Sequence, residues 1–179
     1  MGTTNKSTLR RAVRDRISTL TTSGKKALST QIFSKIYKLE VVEKARVVAL
    51  FASLPDEPQT ATIIEQLAPH KRIVLPRIEG DEMEFYDISE GLHEGSFGIM
   101  EPSATEPVSP SEIDVMIVPG VAFTTDGYRL GRGKGFYDKY LDSEGFRAYT
   151  VGVCFPCQIV DTIPTDPHDK SVELVVSSE

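Results

Sequence analysis

The chain has 179 residues, of which 40% are hydrophobic, and it carries a formal net charge of −6 at pH 7. This length and composition suit one compact domain, which we expect to span residues 1–179 and to bury a substantial core. The acidic charge argues against a general nucleic-acid binder, because such proteins gain much of their affinity by neutralising backbone phosphates.

The hydropathy pattern predicts a cytoplasmic protein. No apolar run approaches the roughly 20 residues needed to span a bilayer, and residues 1–7 lack the apolar region of a signal peptide. We expect a monomer with small-molecule partners, and with neither nucleic acid nor a membrane among them.

Two helices are predicted at the start of the chain. Residues 5–20 carry an apolar stripe at spacings of three and four, which consists of Leu9, Val13, Ile17 and Leu20. Three cations lie on a separate row at a spacing of four, where they can face one target: Lys6, Arg10 and Arg14. By itself, such a row is more typical of a solvated helix face. A second apolar stripe predicts a helix that begins at Thr22 or Ser23.

Strands and helices alternate along the rest of the chain. Apolar runs predict buried strands at residues 46–51, 72–76, 114–119 and 149–154, with a short last strand at residues 173–176. A further strand is expected over residues 83–88, after a turn at residues 80–81. Helices are expected over residues 57–67 and from Phe136 onwards. Residues 100–112 are rich in proline, serine and glutamate and predict a surface connection.

This alternation predicts an α/β fold of three layers, with a mostly parallel sheet between helices on both faces. Ligands of such sheets bind beyond the carboxyl ends of the strands. The expected site therefore lies next to Phe51, Pro76, Pro119 and Phe155, which end the predicted strands.

The most informative segment is G-Y-R-L-G-R-G-K-G-F-Y-D, which spans residues 127–138. It combines four glycines with the cations Arg129, Arg132 and Lys134. Each glycine has about 0.5–1 kcal/mol more entropy to lose on folding than alanine has, so four of them indicate a backbone that approaches a ligand closely. Neighbouring cations indicate that this ligand is an anion. The segment therefore predicts a phosphate-binding loop.

The spacing of this loop excludes two common phosphate-binding motifs. A Walker loop has four residues between glycine and Gly-Lys, followed by a hydroxyl residue. Here the interval from Gly127 to Gly133 is one residue longer, and Gly135 occupies the hydroxyl position. The dinucleotide fingerprint also fails, because residues 131–135 read G-x-G-x-G. An incidental flexible loop would usually carry serine, asparagine or aspartate in place of the aromatic pair at residues 136–137.

The whole pattern resembles the signature of the 5-formyltetrahydrofolate cyclo-ligase family. The resemblance rests on P-G-V-A-F at residues 119–123 and D-G-Y-R-L-G-R-G-K-G-F-Y-D at residues 126–138. Three weaker segments match in the expected order: K-S-T-L-R at residues 6–10, F-A-S-L-P-D-E at residues 51–57 and I-P-T-D-P-H-D at residues 163–169. The resemblance covers essentially the whole chain.

The resemblance implies a ligase that uses ATP and Mg²⁺ to close 5-formyltetrahydrofolate to 5,10-methenyltetrahydrofolate, with release of ADP and phosphate. It implies that Arg132 and Lys134 are catalytic, because they can neutralise the charge on the transferred phosphoryl group. The implied ATP-binding residues are Lys6, Arg10, Arg129, Leu130, Gly131, Arg132, Gly133, Lys134, Gly135, Phe136 and Tyr137.

The implied substrate-binding residues are Arg10, Ala52, Glu57, Phe97 and Tyr137. A carboxylate at Glu57 can accept hydrogen bonds from the amino and ring N–H groups of a pterin, and the ring of Tyr137 can stack on a flat ligand. Phe97 is equally well explained as an ordinary core residue. Phe136 stands where the family commonly has tyrosine, and the small Ala52 says little about specificity.

The metal expectation rests on Asp138, which directly follows the phosphate-binding loop. A carboxylate among phosphates is unfavourable unless a cation intervenes, and Mg²⁺ commonly binds one or two carboxylates together with phosphate oxygens. The resemblance implies Asp169 as the second ligand. From the residues alone, Asp169 is as well explained as a turn residue beside the acids Asp161 and Asp166.

Two other interpretations remain open at the level of sequence. Cys154 and Cys157 have the spacing of a redox dithiol, but the chain has no second cysteine pair for a zinc site, and we expect incidental thiols. The rival functions are a non-catalytic nucleotide sensor and a relative that binds a sugar phosphate or a coenzyme.

Overall fold

The computed structural model describes residues 5–179, with the side chain of Phe97 excepted. Its helices are α1 (Lys6–Ser18), α2 (Thr22–Tyr37), α3 (Glu40–Lys44), α4 (Ala61–Leu67) and α5 (Phe136–Leu141). Its strands are β1 (Val47–Ala49), β2 (Arg72–Glu79), β3 (Glu82–Asp87), β4 (Leu92–Glu94), β5 (Met100–Pro102), β6 (Val115–Val118), β7 (Ala122–Phe123), β8 (Arg129–Leu130), β9 (Tyr149–Val153) and β10 (Leu174–Val176).

A central sheet organises the domain, with the strand order β10-β9-β6-β1-β2-β3. Neighbouring strands run parallel except for β3, which returns antiparallel to β2. Two small antiparallel pairs, β4 with β5 and β7 with β8, lie outside this sheet. The carboxyl ends of the parallel strands consequently meet along one edge.

Helices cover both faces of the sheet. Side chains of successive strand residues point to opposite sides, so buried strands place apolar side chains on both faces, and each face packs against helices. Val48 packs in one core with the apolar stripes of α1, α2 and α4, whereas Ala49 packs in the other core with Tyr140 of α5. The predicted three-layer α/β fold is therefore confirmed. In the described part of the chain, no helix has both the length and the apolar character that a membrane crossing requires.

The first helix forms as its pattern predicts. Its apolar stripe is buried at Leu9, Val13 and Ile17. Asn5 precedes it in an extended conformation, and the side-chain oxygen of Asn5 accepts a hydrogen bond of 2.8 Å from the backbone N–H of Thr8. Such a cap satisfies a donor that the first helical turn leaves unpaired. Lys6 and Arg10, two members of the row of cations, lie at the carboxyl edge of the sheet.

Most predicted boundaries differ from the structure by one or two residues, and two differ by more. Helix α4 begins at Ala61 and not at Glu57, because Glu57 precedes Pro58 and a residue before proline is disfavoured in the helical region. Strand β2 continues through Pro76 to Glu79 as one arm of a hairpin with β3. Pro76 is tolerated there because β1 has already ended, so that side of β2 needs no further backbone donor.

The segment over residues 100–112 is not merely a surface connection. It contains β5, and its residues Ala104 and Val108 are buried. The backbone N–H of Val108 donates a hydrogen bond of 2.8 Å to the carbonyl of Phe85, so this segment extends the sheet edge beyond β3. The prediction was wrong because the many proline and serine residues gave this segment the composition of a surface loop, although Ala104 and Val108 are buried. Helix α3 was likewise absent from the predicted elements.

Gly127 ties the loop after β7 to the C-terminal segment. Its φ of 100° is in the left-handed region that favours glycine. Its carbonyl accepts a hydrogen bond of 2.8 Å from the backbone N–H of Val172. A Cβ at this position would collide with the carbonyl oxygen of Val172. This glycine of the predicted phosphate-binding segment therefore serves chain packing.

We predict that Gly127→Ala destabilises the protein more than Gly80→Ala does. Gly80 also has a positive φ, of 62°, but a Cβ there meets nothing within 4 Å. Gly80→Ala should lower the free energy of unfolding by roughly 1–2 kcal/mol through left-handed strain alone. Gly127→Ala should lower it by roughly another 1–3 kcal/mol through the clash. Urea unfolding monitored by circular dichroism measures both, and equal losses would contradict the packing role of Gly127.

Candidate active site

A cavity of about 500 Å³ opens at the carboxyl edge of the sheet. Its walls come from α1, the segment after β1, the β2–β3 hairpin, the glycine-rich loop (residues 131–135) and the segment before β10. It brings together all the sequence-predicted site residues whose side chains are described: Lys6, Arg10, Ala52, Glu57, Arg129, Leu130, Gly131, Arg132, Gly133, Lys134, Gly135, Phe136, Tyr137, Asp138 and Asp169. The predicted contribution of Phe97 lies outside the described side chains.

The glycine-rich loop lines this cavity and has backbone N–H groups without partners among the described residues. Gly133 and Gly135 have φ values of 113° and 72°, which an L side chain would strain. Within the described part of the chain, the backbone N–H groups of residues 132–135 make no hydrogen bond. Lys134 is exposed and lines the same cavity. Free N–H groups beside a cation form the type of concavity that binds phosphate.

Helix α1 contacts this loop through the side chain of Arg10. The Nε of Arg10 donates a hydrogen bond of 2.7 Å to the carbonyl oxygen of Gly131. The guanidinium of Arg10 also lies 3.7 Å from the position that a Cβ on Gly133 would take. The basic row of α1 is therefore part of the site wall. The interpretation of this row as a merely solvated helix face is wrong for Arg10.

Arg129 is a buried cation at the base of the loop. Its guanidinium donates hydrogen bonds to the carbonyl oxygen of Pro119, at 3.1 Å, and to Oδ1 of Asp138, at 3.4 Å. It also lies 5.4 Å from the ring centroid of Tyr137. Burial lowers the pKa of Arg129, although the Asp138 carboxylate acts in the opposite direction. The Nε of Arg129 is buried without a partner among the described residues.

Lys6 bridges two carboxylates of the segment before β10. Its Nζ lies 2.5 Å from Oδ2 of Asp166 and 2.5 Å from Oδ2 of Asp169. Although burial acts against it, hydrogen bonding to both carboxylates raises the pKa of Lys6. The same Oδ2 of Asp169 accepts the backbone N–H of Asp166 at 2.8 Å. Asp169 is therefore both a turn residue and a cavity residue.

The acids at this edge provide oxygen atoms of the kind that Mg²⁺ prefers. Asp166, His168 and Asp169 have potential ligand atoms within 4.8 Å of one another. Asp138 uses Oδ1 to accept the backbone N–H of Lys170 at 3.0 Å, and its Oδ2 makes no hydrogen bond within the described residues. Both Asp138 and Asp169 act on the pKa of Arg129, so they share one electrostatic environment. The group within 4.8 Å does not include Asp138, so the carboxylates of Asp138 and Asp169 are both at this edge but not within one compact set of ligand atoms.

The opposite wall carries Glu57, of which only 6% is exposed. Its Oε2 accepts a hydrogen bond of 2.8 Å from the backbone N–H of Leu54, and its Oε1 accepts one of 3.0 Å from Nη2 of Arg132. Burial raises the pKa of Glu57, although the backbone N–H of Leu54 and Arg132 act against this shift. Arg132 thus lies over the acidic wall of the cavity, where it also pairs with Asp56.

The sequence did not predict the apolar wall of the cavity. Ile78 and Met83 face each other across the β2–β3 hairpin, and Ile99 joins them from the segment before β5. Arg77 holds this wall together, because its Nη1 donates to the carbonyl oxygens of Pro102 and Ala104 at 3.0 and 2.9 Å. Apolar and polar residues alternate from Pro76 to Glu79. This alternation could have predicted a longer strand with Ile78 on one face.

The two cysteines lie outside this cavity lining. Both are free thiols; Cys154 is buried and Cys157 is half-buried. Burial raises the pKa of Cys154 to about 12, so this group stays a thiol at neutral pH and is a poor nucleophile. These properties agree with the prediction of incidental thiols.

Comparisons with known proteins by family model, sequence and structure agree with one another. The 5-formyltetrahydrofolate cyclo-ligase family matches residues 2–178. The chain is 32% identical to the 5-formyltetrahydrofolate cyclo-ligase of Escherichia coli (strain K12), over 92% of this chain and 96% of that protein. It is 28% identical to the mouse 5-formyltetrahydrofolate cyclo-ligase, over 94% and 91% of the two chains. The NMR structure of Aquifex aeolicus 5,10-methenyltetrahydrofolate synthetase aligns with a TM-score of 0.87 at 34% identity, over 97% of this chain and 90% of that chain.

We predict that Glu57→Gln is at least as stable as the wild type at neutral pH. Because the folded pKa of Glu57 is raised, this acid favours folding when protonated and opposes folding when ionised. Its penalty is absent below the unfolded pKa of 4.5 and grows as the pH rises through the folded pKa. The stability difference between Glu57→Gln and the wild type should therefore increase with pH above that value.

Urea unfolding between about pH 5 and pH 8 measures this difference, in the range where a raised carboxyl pKa has its effect. Glu65→Gln is the matched control, because Glu65 is exposed on α4. A large loss of stability in Glu57→Gln at neutral pH would contradict the assignment of Glu57 as a destabilising buried charge.

Proposed function

The chain belongs to the 5-formyltetrahydrofolate cyclo-ligase family and is therefore a ligase, and we propose that it closes 5-formyltetrahydrofolate to 5,10-methenyltetrahydrofolate while converting ATP to ADP and phosphate. One observation carries this proposal. The free N–H groups of the glycine-rich loop and the buried acid Glu57 line one cavity from different walls. An anionic ligand and a ligand rich in N–H donors can therefore meet there.

The nucleotide half of the proposal rests on the loop over residues 131–135. Its unpaired N–H groups and Lys134 are donors for phosphate oxygens, and Lys6 and Arg10 add positive charge from α1. A hydrogen bond to a charged group contributes about 1.5–3 kcal/mol, so a few of them suffice to anchor the triphosphate. The remaining ATP-binding assignments that we propose, from Arg129 to Tyr137, are supported by the position of these residues in the lining of the same cavity.

The folate half of the proposal rests on the opposite wall. Glu57 is a buried acceptor for the amino and ring N–H groups of the pterin. Ile78 and Met83 supply apolar surface for the flat ring system, and the ring of Tyr137 lines the same cavity. Ala52 leaves room beside Glu57 because its side chain is small.

The proposed chemistry makes the formyl oxygen a good leaving group. The γ-phosphoryl group of ATP is transferred to that oxygen, and ADP departs. The neighbouring arylamine nitrogen then attacks the formyl carbon and loses its proton, while the carbon–oxygen bond breaks and phosphate leaves with the oxygen. Arg132 and Lys134 neutralise charge on the transferred group, so the protein contributes positioning and electrostatic stabilisation.

Mg²⁺ is the proposed metal, and Asp138 and Asp169 are the residues that would hold it. When bound, a divalent cation neutralises phosphate charge that the lysine and arginine side chains leave uncompensated. The protein's own contribution is to orient the Asp138 carboxylate, because Arg129 and the backbone N–H of Lys170 both donate to Oδ1 of Asp138. Oδ2 of Asp138 then remains available.

The direct test incubates the purified chain with Mg-ATP and 5-formyltetrahydrofolate and follows the near-ultraviolet absorbance of the methenyl product. We expect an absorbance increase that requires both ATP and the folate, with stoichiometric ADP. Binding of ATP without turnover would overturn the proposal in favour of a nucleotide sensor. Failure to bind either compound would favour the sugar-phosphate or coenzyme alternative.

In the same assay, we predict that Lys134→Ala lowers kcat at least about 100-fold, which is typical when a group that stabilises transition-state charge is lost. The fold should persist, because Lys134 is exposed and its side chain makes no hydrogen bond among the described residues. Lys26→Ala is the control, since Lys26 is an exposed cation on α2. Unchanged turnover in Lys134→Ala would remove this residue from the catalytic set.

We also predict that Asp138→Asn weakens magnesium binding. Asparagine keeps an oxygen that can accept from Lys170 but loses the negative charge. Calorimetric titration of Mg²⁺ into the complex with a non-hydrolysable ATP analogue should show an affinity that is lower by roughly tenfold or more. Asp142→Asn is the control, because Asp142 is exposed and pairs with Lys170 outside the cavity lining. An identical magnesium affinity in Asp138→Asn would contradict the ligand assignment.

A further inference from the structure

We infer that Asp56 is a positioning residue for Arg132, and that it keeps this guanidinium available to the nucleotide when the folate occupies Glu57. The inference rests on the proposed function and adds a residue and a coupling between the two substrates. It starts from the hydrogen bonds of Arg132, whose guanidinium is shared between two adjacent acids.

Arg132 makes a two-pronged contact with Asp56. Nη2 of Arg132 lies 2.6 Å from Oδ1 of Asp56, and Nη1 lies 3.2 Å from Oδ2. Nη2 and Nε also donate to Oε1 of Glu57, at 3.0 and 3.3 Å. Although burial acts against it, hydrogen bonding to Arg132 lowers the pKa of Asp56. This geometry matches the planar fork of arginine, which lysine does not reproduce.

Asp56 can fix the guanidinium because its own backbone is held. The backbone N–H of Glu57 donates to the carbonyl oxygen of Leu54 at 3.0 Å and closes the turn that carries Asp56. From α2, Nζ of Lys25 donates to the carbonyl oxygen of Pro55 at 3.2 Å. Arg132, by contrast, is flanked by Gly131 and Gly133, so its neighbours on the loop offer no side chain to pack against. The turn is therefore the element that positions Arg132.

The two acids differ in what they do when the folate binds. Both oxygens of Glu57 are engaged, Oε2 by Leu54 and Oε1 by Arg132. A pterin that donates two hydrogen bonds to Glu57 therefore competes with Arg132 for Oε1. The half-buried Asp56 keeps both of its contacts with the guanidinium when that happens. Folate binding thus releases Arg132 from Glu57 without releasing it into solvent.

The consequence is a coupling between the two substrates. The Nε and Nη2 donors that Glu57 gives up belong to a residue that lines the same cavity as the loop we propose to bind phosphates. The folate should therefore increase the affinity for the nucleotide, and by reciprocity the nucleotide should increase the affinity for the folate. Without Asp56, the freed guanidinium samples solvent and the coupling is lost.

A double-mutant cycle tests this inference with the variants Asp56→Asn, Arg132→Lys and their combination. Asp56→Asn should lower kcat by roughly 10- to 100-fold, the effect of a misplaced catalytic group, with a much smaller change in the KM for the folate. In the Arg132→Lys background, Asp56→Asn should cause little further loss. Asp161→Asn, an exposed acid outside the cavity lining, is the control and should retain wild-type kinetics.

Calorimetry gives a readout that is independent of turnover. A non-hydrolysable ATP analogue should bind the wild type several-fold more tightly when 5-formyltetrahydrofolate is present, within the roughly 5- to 150-fold span of typical couplings. Asp56→Asn should bind the analogue equally with and without the folate. Circular dichroism verifies that each variant is folded, and Asp56→Glu should recover part of the coupling.

The outcomes separate this inference from the proposed function. Additive losses in the cycle, or a coupling that persists in Asp56→Asn, would overturn the positioning role while a productive wild type leaves the cyclo-ligase proposal intact. A wild type that forms no methenyl product would overturn the proposed function and this inference with it.

Discussion

The buried guanidinium of Arg129 is the constraint on which the rest of the site depends. A buried charge is unfavourable unless polar partners compensate it, and those partners here are the carbonyl oxygen of Pro119 and the carboxylate of Asp138. One side chain therefore joins the end of β6 to the start of α5, on either side of the glycine-rich loop. The loop can hold left-handed glycines and unpaired N–H groups because both of its ends are anchored in this way.

A second property of the site is that its charges are paired across elements. Lys6 of α1 neutralises Asp166 and Asp169, and Arg132 of the loop lies over the acids that follow β1. Buried or half-buried charges need such partners, since desolvation of an isolated ion is costly. The anionic and donor-rich substrates that we propose would therefore exchange partners with these pairs. This electrostatic arrangement is the reason why we propose that the binding of one ligand is linked to the binding of the other.

Several parts of this arrangement could be predicted from the sequence because they depend on local chemistry. Helical spacing marked the buried stripe of α1, and apolar runs marked the parallel strands, so the fold class was correct. Glycines among cations identified the loop over residues 131–135, and ordered motifs identified the family. The boundaries were less accurate, because the start of α4 depends on Pro58 and the end of β2 depends on where its neighbour β1 stops.

The sequence by itself determined the composition of the glycine-rich loop, the order of the helices and strands, and the family, since these follow from neighbouring residues along the chain. Only the tertiary structure decided which charges meet. Arg132 contacts Glu57 across 75 positions and Lys6 contacts Asp169 across 163. Such pairs depend on how parallel strands and their crossovers bring distant loops to one edge. Burial, which raises the pKa of Glu57, likewise exists only in the folded chain.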